Sequence, residues 1–172
     1  MSDTRKHQPI VSSSHLVSEK AAELSELEYG LIIANHAFQR WMVRCMTAAG
    51  LADLNPLDVL ILHNVNHRSR AKKLADICFN LNIEDSHTAS YALRKLLKLG
   101  LVQSRRVGKE SFYSTTQKGI DACQRYRDVR EECLIESLEE VGVDNERLGE
   151  IARVLRSLSG LYDEAARAAA SL

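Results

Sequence analysis

The chain has 172 residues, of which 45% are apolar and 27% are charged, and its formal net charge at pH 7 is zero. This length suffices for one domain with a full core, and no apolar run approaches the roughly 20 residues that cross a membrane. Because the N-terminal residues also lack the apolar segment of a secretory signal, we expect a cytoplasmic protein without a membrane partner.

The N-terminal part of the chain changes character at residue 18. Residues 1–17 are polar and serine-rich, which predicts a flexible N-terminal arm. Apolar residues then recur at spacings of three and four as far as Ala49, which predicts one long helix, with a kink or a close helix contact at Gly30. This helix has more apolar surface than one packing partner would cover. Residues 18–54 are therefore predicted to form a dimerisation helix and its connector.

Asn55 and Pro56 mark the start of a second helix, since asparagine is a good N-cap and proline suits the first helical position. His63 and His67 lie four residues apart near the end of this helix, close enough to share a metal ion. No third ligand is nearby, so the spacing favours capping or packing, and we predict no metal site and no cofactor.

The next two helices are short and joined by a turn, a pattern that indicates a helix-turn-helix. The first is predicted from Ala71 to Asn80, with Lys72 and Lys73 facing outward. The second is capped by Asp85 or Ser86 and ends at Gly100. Its buried stripe consists of Ala89, Ala92, Leu93, Leu96 and Leu97, and its other face carries polar and basic residues: Ser86, His87, Thr88, Ser90, Tyr91, Arg94, Lys95 and Lys98.

After Gly100 the pattern changes from a helical to an alternating period. Residues 101–107 and 111–115 are predicted to form two strands joined around Gly108 and Lys109. With Arg105, Arg106 and Lys109 at or near its tip, this hairpin is typical of a DNA-contacting wing.

Charge is concentrated in the same region. The window from Arg68 to Glu110 holds ten basic and four acidic residues, a net charge of +6, whereas the rest holds 13 basic and 19 acidic residues, a net charge of −6. A basic segment between acidic ends is typical of a phosphate-binding face, and a chance cluster of solvated charge is the alternative.

Two further helices complete the chain. Thr115 or Thr116 caps one that is predicted to run to about Val141, and Asp144 begins the last. A small winged core cannot cover the apolar stripes of all the terminal helices, so we predict a homodimer. The expected fold is mainly α, with a winged helix-turn-helix core at residues 55–116, the N-terminal dimerisation helix, and C-terminal dimerisation helices at residues 117–172.

The helix-turn-helix and the wing resemble the MarR family of winged-helix transcription regulators. The family's recognition helix resembles S-T-V-x-R-L-[LV]-x-x-L, and the corresponding stretch of this chain is residues 87–96, which precede Gly100, Leu101 and Val102. Thr116 and Gly119 match the T-x-x-G that follows the family's wing. Two departures are present: the wing has Val107 and Lys109 where the family has an aspartate and an arginine, and the segment between Leu74 and the recognition helix is longer.

The resemblance implies a homodimeric, sequence-specific DNA-binding transcription regulator, acting as a repressor at a palindromic operator in double-stranded DNA. The expected DNA-binding residues are Lys72, Lys73, Ser86, His87, Thr88, Ser90, Tyr91, Arg94, Lys95, Arg105, Arg106 and Lys109. The resemblance also implies that a small aromatic or amphipathic effector modulates DNA affinity. Its expected pocket comprises Trp41, Cys45, Thr47, Leu60, Asn64 and Phe112.

Two alternatives stay open from the sequence. A winged-helix protein-interaction module would use the basic face to bind an acidic partner. A redox-sensing regulator would use Cys45, Cys123 or Cys133, although four cysteines without a C-x-x-C pair favour buried structural thiols, Cys78 included. An enzyme is not expected, because the chain has no catalytic motif of the serine hydrolase, zinc protease or phosphate-loop kind.

Overall fold

The computed structural model describes residues 18, 20–138, 142 and 144–172 and confirms a mainly α fold with a small antiparallel sheet. The predicted arm at residues 1–17 lies outside the described residues. The chain divides after Tyr126 into two compact units, so the fifth helix begins in the first unit and ends in the second. The elements are α1 (Ala22–Ala48), α2 (Pro56–Asn66), α3 (Leu74–Asn80), α4 (Ser86–Lys98), β1 (Val102–Val107), β2 (Glu110–Thr115), α5 (Gln117–Arg130), a π-helical segment (Glu131–Ile135), α6 (Glu136–Leu138) and α7 (Asn145–Ala169).

Helix α1 runs through Gly30 without interruption, and nothing within 4 Å would meet a side chain added there. The close helix contact predicted at Gly30 is therefore not formed among the described residues. The buried apolar residues of α1 lie in its last part, where Met42, Cys45 and Met46 belong to the core. Upstream, the apolar side chains of α1 are largely exposed: Leu27, Ile32, Ile33 and Phe38.

Helix α2 begins as predicted, with Asn55 as the N-cap and Pro56 at the first position. The Asn55 side chain accepts a hydrogen bond from the Asp58 N–H, and an Asp58 carboxylate oxygen accepts one from the Asn55 N–H, both at 2.9 Å. This reciprocal pair is a capping box, which satisfies two of the backbone donors that a helix start leaves free.

Helix α3 starts at Leu74, so the prediction of a helix from Ala71 is wrong for its first three residues. The backbone of Lys72 instead pairs with Tyr113 of β2, with N···O distances of 2.9 and 2.8 Å. This bridge adds one extended residue to the edge of the sheet. Because a residue that pairs with a strand cannot also be helical, the long-range contact overrides the local pattern.

Helix α4 follows the predicted pattern closely. Asp85 is its N-cap and accepts a hydrogen bond from the His87 N–H at 2.9 Å, and Gly100 follows the helix with a φ of 69°. The stripe that faces the core comprises Ala89, Ala92, Leu93 and Leu96, all buried. Helices α3 and α4 thus form the predicted helix-turn-helix.

The two strands pair in antiparallel register, from Val102 with Thr115 to Val107 with Glu110, and Gly108 turns the hairpin with a φ of 62°. At its base, the Thr116 hydroxyl donates to the Gly100 carbonyl at 2.7 Å and accepts from the Gly119 N–H at 3.2 Å. A Cβ on Gly119 would collide with the Leu101 carbonyl oxygen. The T-x-x-G sequence therefore has a steric reason: it lets α5 start close against the end of α4.

The second unit contains α7, which is capped by Asp144 as predicted. No residue of this 25-residue helix is buried, and several of its apolar side chains are exposed, including Ile151, Val154 and Leu161. The predicted end of the preceding helix near Val141 lies outside the described residues. In the described part of the chain, no helix has both the length and the apolar character needed to cross a membrane.

Candidate nucleic-acid interface

The outward face of α4 presents an array of polar side chains. Ser86, His87, Thr88, Tyr91 and Arg94 are exposed. A further predicted contact residue of this face is half-buried: Ser90. Hydroxyl, imidazole and guanidinium groups at the start of a helix can all form hydrogen bonds with base edges in a major groove.

Within this face, the Arg94 guanidinium lies over the Tyr91 ring, 5.9 Å from its centroid. A cation held over an aromatic ring loses part of its rotational freedom before any ligand arrives. The pair therefore projects from the middle of α4 as a partly ordered unit, available for a base or a phosphate.

Lys95 does not belong to this exposed array, although it lies on the same helix. Its ammonium is 2.7 Å from a carboxylate oxygen of Asp58, which has no exposed surface. The charge of Lys95 is therefore compensated by the buried carboxylate of α2, so the predicted phosphate contact of Lys95 would require this ion pair to open.

Lys72 is likewise turned inward and is only 3% exposed. Its ammonium donates to the carbonyls of Val65 and His67, at 3.1 and 2.7 Å, and so satisfies the C-terminal end of α2. Burial, with the neighbouring Arg70 and Arg68 charges, lowers the pKa of Lys72. The predicted phosphate contact of Lys72 is wrong, because the same backbone pairing that shortens α3 directs this side chain into the core.

Lys73 connects the helix-turn-helix to the wing. Its ammonium lies 2.7 Å from a carboxylate oxygen of Glu110 and 5.4 Å from the Phe112 ring centroid. Because both charged side chains are partly exposed, the pair is a weak surface contact that DNA can displace. Lys73 is therefore placed beside the predicted interface with part of its charge compensated.

The wing carries the freest cations. Arg105, Arg106 and Lys109 are exposed, and the Arg106 Nε donates to the Gly108 carbonyl at 3.2 Å. Among the described residues, neither Arg105 nor Lys109 has an ion-pair partner. Exposed, uncompensated cations on a hairpin are suited to phosphate contacts.

The residues predicted for an effector pocket do not surround one space. Thr47 lines a cavity of about 820 Å³ along α1, whereas Phe112 lines a different one of about 530 Å³ beside the wing. Cys45 is buried with its Sγ 3.4 Å from the Tyr126 carbonyl oxygen. The other three predicted residues are half-buried: Trp41, Leu60 and Asn64.

The cavity beside Thr47 is also lined by basic residues that are not among the predicted site residues. His36, Arg40 and Arg44 are spaced four apart, line this cavity and are exposed. No acidic residue lines the cavity among the residues that the structure describes. Arg40 and Arg44 carry like charges four apart on a helix, and their repulsion favours a bound anion. The spacing was visible in the sequence, but its position over the connector before α2 was not.

His63 of α2 fits the packing interpretation, whereas His67 is the exposed C-cap of that helix. His63 meets the Tyr126 ring edge-on, with 4.5 Å between ring centroids, and burial lowers its pKa. In the described part of the chain, no three His, Cys, Asp or Glu side chains are grouped so that they could hold a metal ion.

No disulfide joins any of the cysteines in the part of the chain that the structure describes. Cys45, Cys78 and Cys123 are buried, whereas Cys133 is exposed, so the expectation of a buried thiol is wrong for Cys133. Burial raises the pKa of Cys123 to about 11, the opposite of what a reactive thiolate requires.

The region that contains this candidate interface is similar to known DNA-binding domains. A family model described as a winged helix DNA-binding domain matches residues 54–119, nearly the range predicted for the DNA-binding region. No curated protein sequence matches the chain.

Several solved structures share the fold. A variant of MarR from E. coli complexed with operator DNA is 13% identical, with a TM-score of 0.65 over 82% of this chain and 99% of that one. AbfR of Staphylococcus epidermidis is 16% identical, with a TM-score of 0.68 over 86% and 96%. MarR of Staphylococcus aureus in complex with salicylate and kanamycin is 13% identical, with a TM-score of 0.65 over 84% and 96%. The chain therefore shares the fold of these MarR regulators, and its residues 54–119 form a winged helix DNA-binding domain.

Proposed function

We propose that the chain is a homodimeric, sequence-specific DNA-binding transcription regulator of the cytoplasm, a repressor whose DNA affinity is modulated by a small molecule. The observation that carries the proposal is the exposed polar face of α4 beside a wing with exposed cations, in a domain of the DNA-binding winged helix type. The E. coli MarR variant of the same fold is complexed with operator DNA.

In this proposal, one group of side chains contacts DNA bases and a second group contacts phosphates. Residues of the α4 face contact base edges and specify the sequence: Ser86, His87, Thr88, Ser90 and Tyr91. Cations around them contact phosphates and position the protein. This second group comprises Arg94, Arg105, Arg106, Lys109 and, after displacement of Glu110, Lys73.

The homodimer rests on apolar surface that one copy leaves uncovered. Ile33 and Phe38 of α1 are 51% and 52% exposed, and Val154 and Leu161 of α7 are 54% and 59% exposed. Several large apolar side chains left exposed on one helix indicate an interaction surface. A second copy with the same faces covers them symmetrically, and a twofold dimer would read a palindromic operator.

The effector proposal rests on the cavity along α1. Arg40 and Arg44 supply positive charge there, while Val43, Ala52 and Pro56 supply apolar wall. An amphipathic molecule with an anionic group, such as an aromatic carboxylate, fits this combination. The fold relative from S. aureus is in complex with salicylate and kanamycin, and salicylate is an aromatic carboxylate.

The division of roles is tested with alanine variants of His87, Ser90 and Lys109 on two duplexes. One duplex is selected from a random-sequence pool by the wild-type protein, and the other is a scramble of it. His87→Ala and Ser90→Ala are expected to weaken binding to the selected duplex more than to the scramble. Lys109→Ala is expected to weaken both alike and to reduce the salt slope by about one unit. Equal losses for all three variants would contradict the assignment.

The same experiment distinguishes a DNA-binding regulator from the alternative, a module that binds an acidic protein. Binding to DNA releases counterions, so its affinity falls steeply as salt increases. A module that uses its basic face for an acidic protein would show no preference for any duplex sequence.

A further inference from the structure

The buried carboxylate of Asp58 has two partners. It occupies the third position of α2, has no exposed surface, and one of its oxygens accepts from the Asn55 N–H at 2.9 Å and from the Lys95 ammonium at 2.7 Å. The other oxygen is buried and has no hydrogen-bond partner among the described residues. Lys95, thirty-seven residues away, is its charged partner.

Capping alone does not require this arrangement. The Asn55 N–H needs only an acceptor, which a neutral amide at position 58 would also provide. A buried carboxylate costs free energy unless an opposite charge meets it, and removing either partner leaves the other charge unpaired. The pair therefore favours the one placement of α4 against α2 in which the Lys95 ammonium reaches Asp58.

That placement concerns the DNA-facing side of α4 directly. Lys95 lies four residues after Tyr91 and seven after Thr88, so on a helix of 3.6 residues per turn all three lie on one stripe. A cleft of about 470 Å³ on this side is lined by Asp58 together with Thr88 and Tyr91. Fixing Lys95 thus fixes the rotation of the stripe about the helix axis.

We propose that Asp58 and Lys95 form a positioning pair that sets the rotation of α4, and hence which base edges its exposed side chains meet. The inference rests on the DNA-binding function proposed above. Neither residue touches DNA in this role, so losing the pair lowers discrimination between sequences and leaves nonspecific attraction to the phosphate backbone in place. This role for Lys95 replaces the phosphate contact that its charge alone suggested.

The test compares the neutral double variant Asp58→Asn/Lys95→Met with the wild type. Asparagine keeps the capping acceptor and methionine keeps the apolar stem, so no unpaired buried charge remains and the variant is expected to fold. Its melting temperature is measured beside its dissociation constants for the selected and scrambled duplexes. We expect the ratio of the two constants to fall by about tenfold, the size of one mismatched base pair, with scrambled binding unchanged.

Two single variants separate positioning from phosphate contact. Lys95→Arg keeps an ion pair with Asp58 and is expected to retain the wild-type ratio. Arg94→Met removes the neighbouring exposed cation of α4 that is assigned to phosphates and is expected to weaken both duplexes alike. An unchanged ratio in the double variant would overturn the positioning role, as would an equal loss on both duplexes with a reduced salt slope. If the wild type itself shows a ratio near one, the proposed sequence-specific function fails, and the positioning role fails with it.

Discussion

Replacing Lys72 distinguishes an inward-facing lysine from a DNA-binding one. In Lys72→Met the apolar stem is kept and the ammonium is lost, so the carbonyls of Val65 and His67 lose the donor they share. A buried polar group left without its partner costs about 1–3 kcal/mol. The Val65 carbonyl is such a buried group, whereas the carbonyl of the exposed His67 can bond to water instead and adds little. We therefore expect the free energy of unfolding to fall by about 2 kcal/mol.

The assay is urea unfolding, followed by circular dichroism, beside Lys73→Met as the matched control. Lys73 has a partly exposed pair with Glu110, which contributes about 1 kcal/mol or less. Duplex binding is then measured at several salt concentrations. The salt slope of Lys72→Met is expected to equal that of the wild type, whereas Lys109→Ala lowers it by about one unit. A Lys72→Met protein with unchanged stability and a lowered slope would refute the inward placement and restore the phosphate contact.

Three further predictions concern pH, thiol reactivity and assembly. Because burial lowers the pKa of His63 below 6.5, the stability that its neutral form contributes is present above pH 6.5 and is lost as the pH falls through the lowered value. In urea titrations at acid pH, the His63→Phe variant should therefore lose less stability than the wild type. The His67→Phe variant, in which an exposed residue is replaced, is the control and should behave like the wild type. A pKa of about 11 rather than 9.0 makes the Cys123 thiolate about a hundredfold rarer near neutral pH. Mass spectrometry after iodoacetamide treatment should therefore find Cys123 modified only after urea has unfolded the chain. Rapid modification of Cys123 in the folded protein would contradict its burial. The Val154→Glu variant places a charge among the exposed apolar side chains of α7, so sedimentation should shift from that of a dimer toward that of a monomer. The Arg156→Glu variant is the control. A dimer that persists in Val154→Glu would exclude this face as the interface.

Local chemistry explains which parts of the fold were predictable. Asn55, Asp85 and Thr116 each make a cap with a residue two or three positions away, so short sequence patterns were enough to locate the helix starts. The apolar stripe of α4 follows from the 3.6-residue period, and Gly108 marks the hairpin turn. In each case the deciding interaction is close in sequence.

The errors in the candidate site have the opposite origin. Lys72 appeared solvated because it stands in a basic run, but its backbone pairs with Tyr113, forty-one positions away. Lys95 lies on the polar stripe of α4, yet its charge is used by Asp58 of α2. The expected pocket joined Thr47 to Phe112, whose positions relative to each other depend on how α1 and the wing pack around the core. Sequence periodicity carries no information on such distances.

Whether α4 and the wing read a DNA sequence is decided by the wild-type dissociation constants for the selected and scrambled duplexes, measured between about 50 and 200 mM salt. We expect the selected duplex to bind about a thousandfold more tightly or more, and both affinities to fall steeply as salt rises. Equal affinity for the two duplexes, or affinity that does not change with salt, would contradict this expectation.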